Sequence, residues 1–123
     1  MALIAKTCVP CQAGTTPMTH EQAQALMPQV PNWQLADSTK RIVRCFKTAD
    51  FAQSLAFVNA IGELAEEEGH HPDIMFGWGY VTVEIFTHKI GGLHENDFIL
   101  AAKINQLREQ SWAHIHDDPT RKS

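Results

Sequence analysis

Cysteine is scarce in this chain: Cys8, Cys11 and Cys45 are the only three among 123 residues. An odd and low number cannot build a disulfide framework, which excludes the stapled architecture of small secreted domains and agrees with a reducing compartment. Long hydrophobic runs are missing as well. Stretches such as Leu55-Ala56-Phe57-Val58 fall far short of the roughly 20 residues that a membrane-spanning helix requires. The opening residues Met1 to Cys8 carry neither a basic leader nor an apolar segment long enough for a secretory signal. Positive charge is thin and scattered, with 10 Lys and Arg against 14 Asp and Glu, a net charge of −4 and a pI near 5.9. A general nucleic-acid binder needs a concentrated Lys/Arg surface for phosphates, and none is visible. The nearest approach to one, Lys40-Arg41, Arg44 and Lys47, has the spacing of the solvated side of a strand. The expectation is a cytoplasmic protein that binds neither membrane nor nucleic acid.

A hydrophobic content of 44% with 20% charged residues is the profile of one ordinary globular domain. No repeat or low-complexity segment interrupts it. Residues 1–17, rich in Thr, Gly and Pro and without hydrophobic period, read as an irregular N-terminal arm whose removal should leave the fold intact. The domain proper is expected over 18–112, followed by a polar tail over 113–123, with Trp112 a candidate to fold back.

Thr19 with Gln22 three residues later makes a capping box, which predicts a short helix to about Met27, closed by Pro28 and Pro31. Strand-like segments follow at Trp33–Ala36 and Arg41–Phe46, joined by the polar turn Asp37-Ser38-Thr39-Lys40. Between Ala49 and Glu68 the residues Phe51, Leu55, Val58, Ile61 and Ala65, joined by Phe57 and Leu64, recur every three or four positions. That is an amphipathic helix, ended by Gly69 and Pro72. A second hairpin is expected from Ile74–Trp78 and Tyr80–His88, with Val81, Val83 and Ile85 on one face. A last helix runs from about Glu95 to Gln110. The order α-β-β-α-β-β-α predicts an α+β fold, a four-stranded antiparallel sheet with helices packed on one face.

Three of the seven histidines stand at junctions: His70 and His71 past the long helix, and His88 at the end of a strand. Imidazole titrates near neutral pH and can give or take a proton there. His70 alone would serve as a helix C-terminal cap, and His71 and His88 alone would be ordinary polar groups. A hairpin starting at Asp73 returns its second strand beside its own start, however, and would bring the three together. Glu66, four residues before His70, shares a helical face with it if the helix extends that far and could support the imidazole. Alternatively Glu66-Glu67-Glu68 is a solvated acidic run. Phe76 and Trp78 offer flat apolar surface, either for stacking a planar heterocycle or for packing.

The pattern Glu66-x3-His70-His71-Pro72-x5-Trp78-x9-His88-x8-Asp97 resembles the signature of the pterin-4a-carbinolamine dehydratases, 4a-hydroxytetrahydrobiopterin dehydratases. Trp33, Phe46 to Phe51, Thr87-His88 and Gly92-Leu93 through Ala101 also look like that family's counterparts, so the resemblance covers roughly residues 19–107. It departs at Asn96, where many members carry a basic residue. The resemblance implies dehydration of a 4a-hydroxytetrahydropterin to the quinonoid dihydropterin and water, recycling the cofactor of aromatic amino acid hydroxylases. It implies that His70, His71 and His88 are catalytic and line the pocket, with Glu66, Pro72, Trp78, Thr87 and Asp97 as substrate-binding or supporting residues. It further implies a homodimer or homotetramer, a functional link to a hydroxylase, and no metal or organic cofactor. Two other readings stand beside it. One is a non-catalytic dimerisation or coactivator-type binding protein; the other is a metal site from His70, His71, His88 and His94, or from Cys8-x2-Cys11, which is half of a zinc site.

Overall fold

The computed structural model describes residues 2–10, 12 and 14–111. Helix α1 (His20–Leu26) starts at Thr19, whose hydroxyl accepts from Gln22 N while the Gln22 side chain accepts from Thr19 N, the expected capping box. A 3-10 turn at Met27–Gln29 follows, then strands β1 (Gln34–Ala36) and β2 (Arg41–Lys47). Helix α2 (Phe51–Glu68) is capped by Asp50 at its start and by Gly69 at its end. Strands β3 (Asp73–Gly77) and β4 (Tyr80–Ile85) form the second hairpin, and α3 (Glu95–Ser111) closes the order. Trp112 and the polar tail at 113–123 lie outside the described residues.

The four strands form one antiparallel sheet in the order β1-β2-β4-β3. Val81, Val83 and Ile85 are fully buried while their neighbours on β4 are half-exposed, so one face of the sheet carries the core. Phe46 of β2 and Phe57 of α2 meet edge to face at 5.0 Å between ring centroids. With Ile61, Phe98 and Ile104 they fill the space between sheet and helices. No described helix is long and apolar enough to cross a membrane.

The structure corrects the sequence reading in four places. The apolar stripe of α2 buries Phe57, Ile61 and Ala65 but leaves Phe51 and Leu55 exposed, because the sheet covers only part of the helix's apolar arc. Arg44 is not on the solvated side of β2. It alternates with Ile42 and Phe46 toward the helices, where its guanidinium lies 4.2 Å from the Phe46 ring and donates to Asn105 Oδ1. His88 is not on a strand: β4 ends at Ile85, and His88 opens a 3-10 turn, His88–Ile90, closed by Gly91 with φ 62°. Finally, the irregular N-terminal arm does not stand apart from the domain but is docked on it. Leu3, in a 3-10 turn at Leu3–Ala5, is 2% exposed in the core, and Lys6 pairs with Glu95 at 2.7 Å. A lone leucine within a Thr/Pro-rich stretch has no periodic partner to reveal it.

Candidate active site

Two element ends meet where the candidate residues converge. Gly69 takes the left-handed conformation, φ 66°, which a residue with a Cβ rarely adopts, and there the chain turns out of α2. His70 therefore leaves the helical face that Glu66 occupies. Its Nε2 lies 2.5 Å from Asp97 Oδ1 in the first turn of α3. The pairing expected from helical spacing is thus replaced by another. Glu66 Oε2 instead meets His71 Nε2 at 2.5 Å, with both side chains more than half exposed.

Asp97 is the hub. Its carboxylate is 0% exposed and satisfied on both oxygens: Oδ1 faces His70, and Oδ2 accepts from Thr87 Oγ1 at 2.9 Å and His94 N at 2.8 Å. A buried charge is tolerable only with such partners, and the N-terminal turn of a helix adds favourable dipole. His94 completes a reciprocal cap, since its Nδ1 accepts from Asn96 N at 3.0 Å while Asp97 accepts from His94 N. The sequence offered a sign of this, a polar residue three before an acidic one at a helix start.

Thr87 is 4% exposed and pairs with Gly92 across a short bridge, which holds the exit of β4 against the entry of α3. The register Asp73↔Glu84 brings that exit back beside the chain leaving His70 and His71, as the hairpin argument expects. His88, next to Thr87, is exposed, and its ring lies 4.1 Å from that of Phe86, which in turn carries the Arg41 guanidinium at 4.7 Å. Pro72 is half-buried between His71 and β3.

Trp78 is not part of this cluster. It sits in the β3–β4 turn, beyond the Gly77↔Tyr80 pair, at the end of the hairpin opposite Asp73, and is 52% exposed. Five strand residues at about 3.3 Å each separate the two ends. Among the described residues no three His, Cys, Asp or Glu side chains converge as metal ligands. Cys11, the second half of the Cys8-x2-Cys11 pair, lies outside the described residues.

Four residues hold contacts beside the site that the sequence reading did not assign to them: Cys8, Val9, Glu68 and Asn96. Asn96, 2% exposed, donates from Nδ2 to Val9 O at 2.6 Å and accepts Val9 N at Oδ1, 3.0 Å. Glu68 accepts Cys8 N at 2.8 Å and pairs with Lys103 at 2.6 Å. Burial alone would raise the Glu68 carboxyl, but those two donors outweigh it and hold the group below its ordinary range. Burial, reinforced by the Glu68 charge, pushes the Cys8 thiol up to about 12.

A buried carboxylate that fixes one histidine, beside two further exposed histidines, is equipment for proton transfer. Comparison with known proteins identifies the family. The family model for pterin 4 alpha carbinolamine dehydratase matches residues 16–107, and the chain belongs to this family. A Methylococcus capsulatus protein provisionally named pterin-4-alpha-carbinolamine dehydratase is 51% identical over 110 residues, 89% of this chain and 96% of that protein. One from Halorhodospira halophila with the same provisional name is 55% identical over 107 residues, 87% of this chain and 98% of its own. The crystal structure of a transcriptional coactivator/pterin dehydratase from Brucella melitensis superposes with TM-score 0.70 at 28% identity, covering 75% of this chain and 98% of that one. A pterin dehydratase-like protein described as a RuBisCO assembly factor in the alpha-carboxysome gives TM-score 0.56 at 27% identity, over 68% and 96%.

Proposed function

We propose that this chain dehydrates a 4a-hydroxytetrahydropterin to the quinonoid dihydropterin and water. The reading is carried by the buried Asp97 carboxylate, which holds His70 and Thr87 in a chain of the pterin dehydratase family. In the reaction the 4a-hydroxyl accepts a proton and leaves as water with the C4a–O electron pair. The N5 proton passes to a base, and the N–H electron pair becomes the second bond of C4a=N5. One water leaves and protons change places, nothing is oxidised or reduced, and the scheme calls for no metal or organic cofactor.

His70, anchored through Nε2, works through Nδ1 as the acid at the 4a-hydroxyl. His88 is the acid for the opposite 4a-epimer, and His71, paired with Glu66, is the base or orienting group at N5. Thr87 and Pro72 border the pterin. Each positioned proton transfer contributes on the order of 10²- to 10⁴-fold. The product is the form whose reduction restores the tetrahydropterin cofactor of aromatic amino acid hydroxylases, which makes such a hydroxylase the functional partner, and we place both in the cytoplasm.

We also propose that the chain assembles as a homodimer or homotetramer. β3 is an outer strand of the sheet, and Met75 on it and Trp78 beyond it are 62% and 52% exposed. An open edge with exposed apolar side chains is a ready template for pairing.

The test is a stopped assay of quinonoid dihydropterin formation from freshly generated carbinolamine, with a chelator present. Acceleration over buffer is expected, and its absence would sink the enzyme assignment. The two structural relatives, one a transcriptional coactivator/pterin dehydratase and the other a pterin dehydratase-like assembly factor, favour a second reading as a binding protein. Stable capture of a protein partner by a chain without turnover would decide for it. Light scattering at micromolar concentration tests the assembly, which a monomeric mass would contradict.

A further inference from the structure

The family match begins at residue 16, yet the segment before it reaches the candidate active site. Residues 2–10 are anchored at Leu3, whose side chain is in the core and whose N–H donates to Gln29. They are then fastened at two points. Cys8 N donates to Glu68, the last residue of α2, with Gly69 and then His70 following. The next residue, Val9, makes both backbone bonds to the buried carboxamide of Asn96, which directly precedes Asp97, while Cys8 Sγ lies 3.5 Å from Asn96 O. Two consecutive residues of the segment thus bridge the two element ends that carry the partners of the His70–Asp97 hydrogen bond.

We propose that Cys8 and Val9 form a positioning strap that clamps the end of α2 to the start of α3 and thereby sets the geometry of His70 against Asp97. Helix ends fray by nature, and the turn at Gly69 is a single left-handed residue. The strap supplies what the helices lack at that point. It also explains Asn96. Lysine or arginine at this position has no acceptor for Val9 N–H, whereas a carboxamide receives one bond and returns the other. The segment further walls a cavity of about 490 Å³ with Glu66, Gly69 and Lys89, so the strap and Glu66, the partner of His71, border one space.

The kinetic part of this inference rests on the dehydratase reading; its spectroscopic part does not. Val9→Pro removes one donor, Asn96→Ala removes both bonds, and Val81→Ala, in the core toward the β3–β4 turn and so at the hairpin end opposite Asp73, serves as a control of comparable destabilisation. Measurements are made on the full chain below the melting transition of each variant. Val9→Pro and Asn96→Ala should each lower kcat by about ten- to a hundredfold, the loss expected of a misplaced catalytic group, with KM within about threefold. Both should shift or broaden the low-field proton resonance of the His70–Asp97 hydrogen bond. Val81→Ala should lower the melting temperature and leave kcat and the resonance in place. An unmoved resonance in both strap variants, or an equal effect in the control, overturns the strap. A wild-type chain without turnover would overturn the dehydratase reading instead, and the resonance would still decide the strap.

Discussion

Asp97→Asn is the most informative single substitution, because it keeps shape while changing one property of the site. Asparagine can still present an oxygen to Thr87 Oγ1 and His94 N, the two donors on Oδ2. Its amide nitrogen then faces His70 Nε2, where Asp97 Oδ1 stood at 2.5 Å. Two donors cannot share that contact. The neutral imidazole must move its proton to Nδ1 and accept from the amide at Nε2, so the nitrogen left for the substrate offers only the N–H of a neutral ring, a far weaker acid than an imidazolium. No carboxylate remains to balance the imidazolium. The expected loss is that of one positioned proton transfer, on the order of 10²- to 10⁴-fold in kcat. Thr87→Ala, which leaves the carboxylate on His70, should lose less than about tenfold. Stability should fall by about 2 kcal/mol for one charge-assisted hydrogen bond, roughly 6–10 °C in melting temperature for a domain of this size. The assay is quinonoid dihydropterin formation at a temperature well below that transition, with KM measured in parallel. Turnover within about threefold of wild type, together with a lowered melting temperature, would show that Asp97 serves the fold and not the reaction.

Three further outcomes follow from the same geometry. His70→Ala and His88→Ala should each lose on the order of 10²-fold or more, unequally on the two separated 4a-epimers, and His71→Ala should impair both epimers alike; equal losses on both epimers for all three variants would remove the assignment of roles. Deleting residues 2–10 should cost at least the burial of Leu3, about 2–5 kcal/mol, contrary to the expectation that removing the arm leaves the fold intact, and a melting temperature unchanged by the deletion would refute the docking. The Cys8 thiol, raised to about 12 from 9.0, makes a contribution to stability that is complete below the unfolded value and lost as pH climbs from 9.0 toward 12. Chemical unfolding between pH 8 and pH 11 should therefore show a decline that Cys8→Ser reduces, and peptide mapping after alkylation at neutral pH should find the exposed Cys45 modified well before Cys8.

The sheet and its helices were legible because each carries a local signal that tertiary contacts did not override. The Thr19–Gln22 capping box and the Val81-Val83-Ile85 alternation fixed where elements begin and which face is covered, and both appear as the sequence implies. The candidate site was legible as a set of residues but not as a set of pairs. Helical spacing joins Glu66 to His70 only while the helix continues, and the left-handed turn at Gly69 removes His70 from that face. The same glycine that marks the helix end in the sequence therefore also decides which carboxylate each histidine meets, a consequence that depends on where α3 begins in space. Trp78 stands apart from the His70–Asp97 pair for a related reason: a motif records separations along the chain, and a hairpin converts five residues of separation into the full length of a strand. The N-terminal segment was illegible because Leu3 is a lone apolar residue and the attachment beyond Lys6 runs through backbone groups of Cys8 and Val9, which carry no side-chain pattern for periodicity to detect. Chemistry-bearing side chains announce themselves by type, whereas the groups that hold them in register do so only by position, so the supporting contacts around Asp97 required the fold before they could be read.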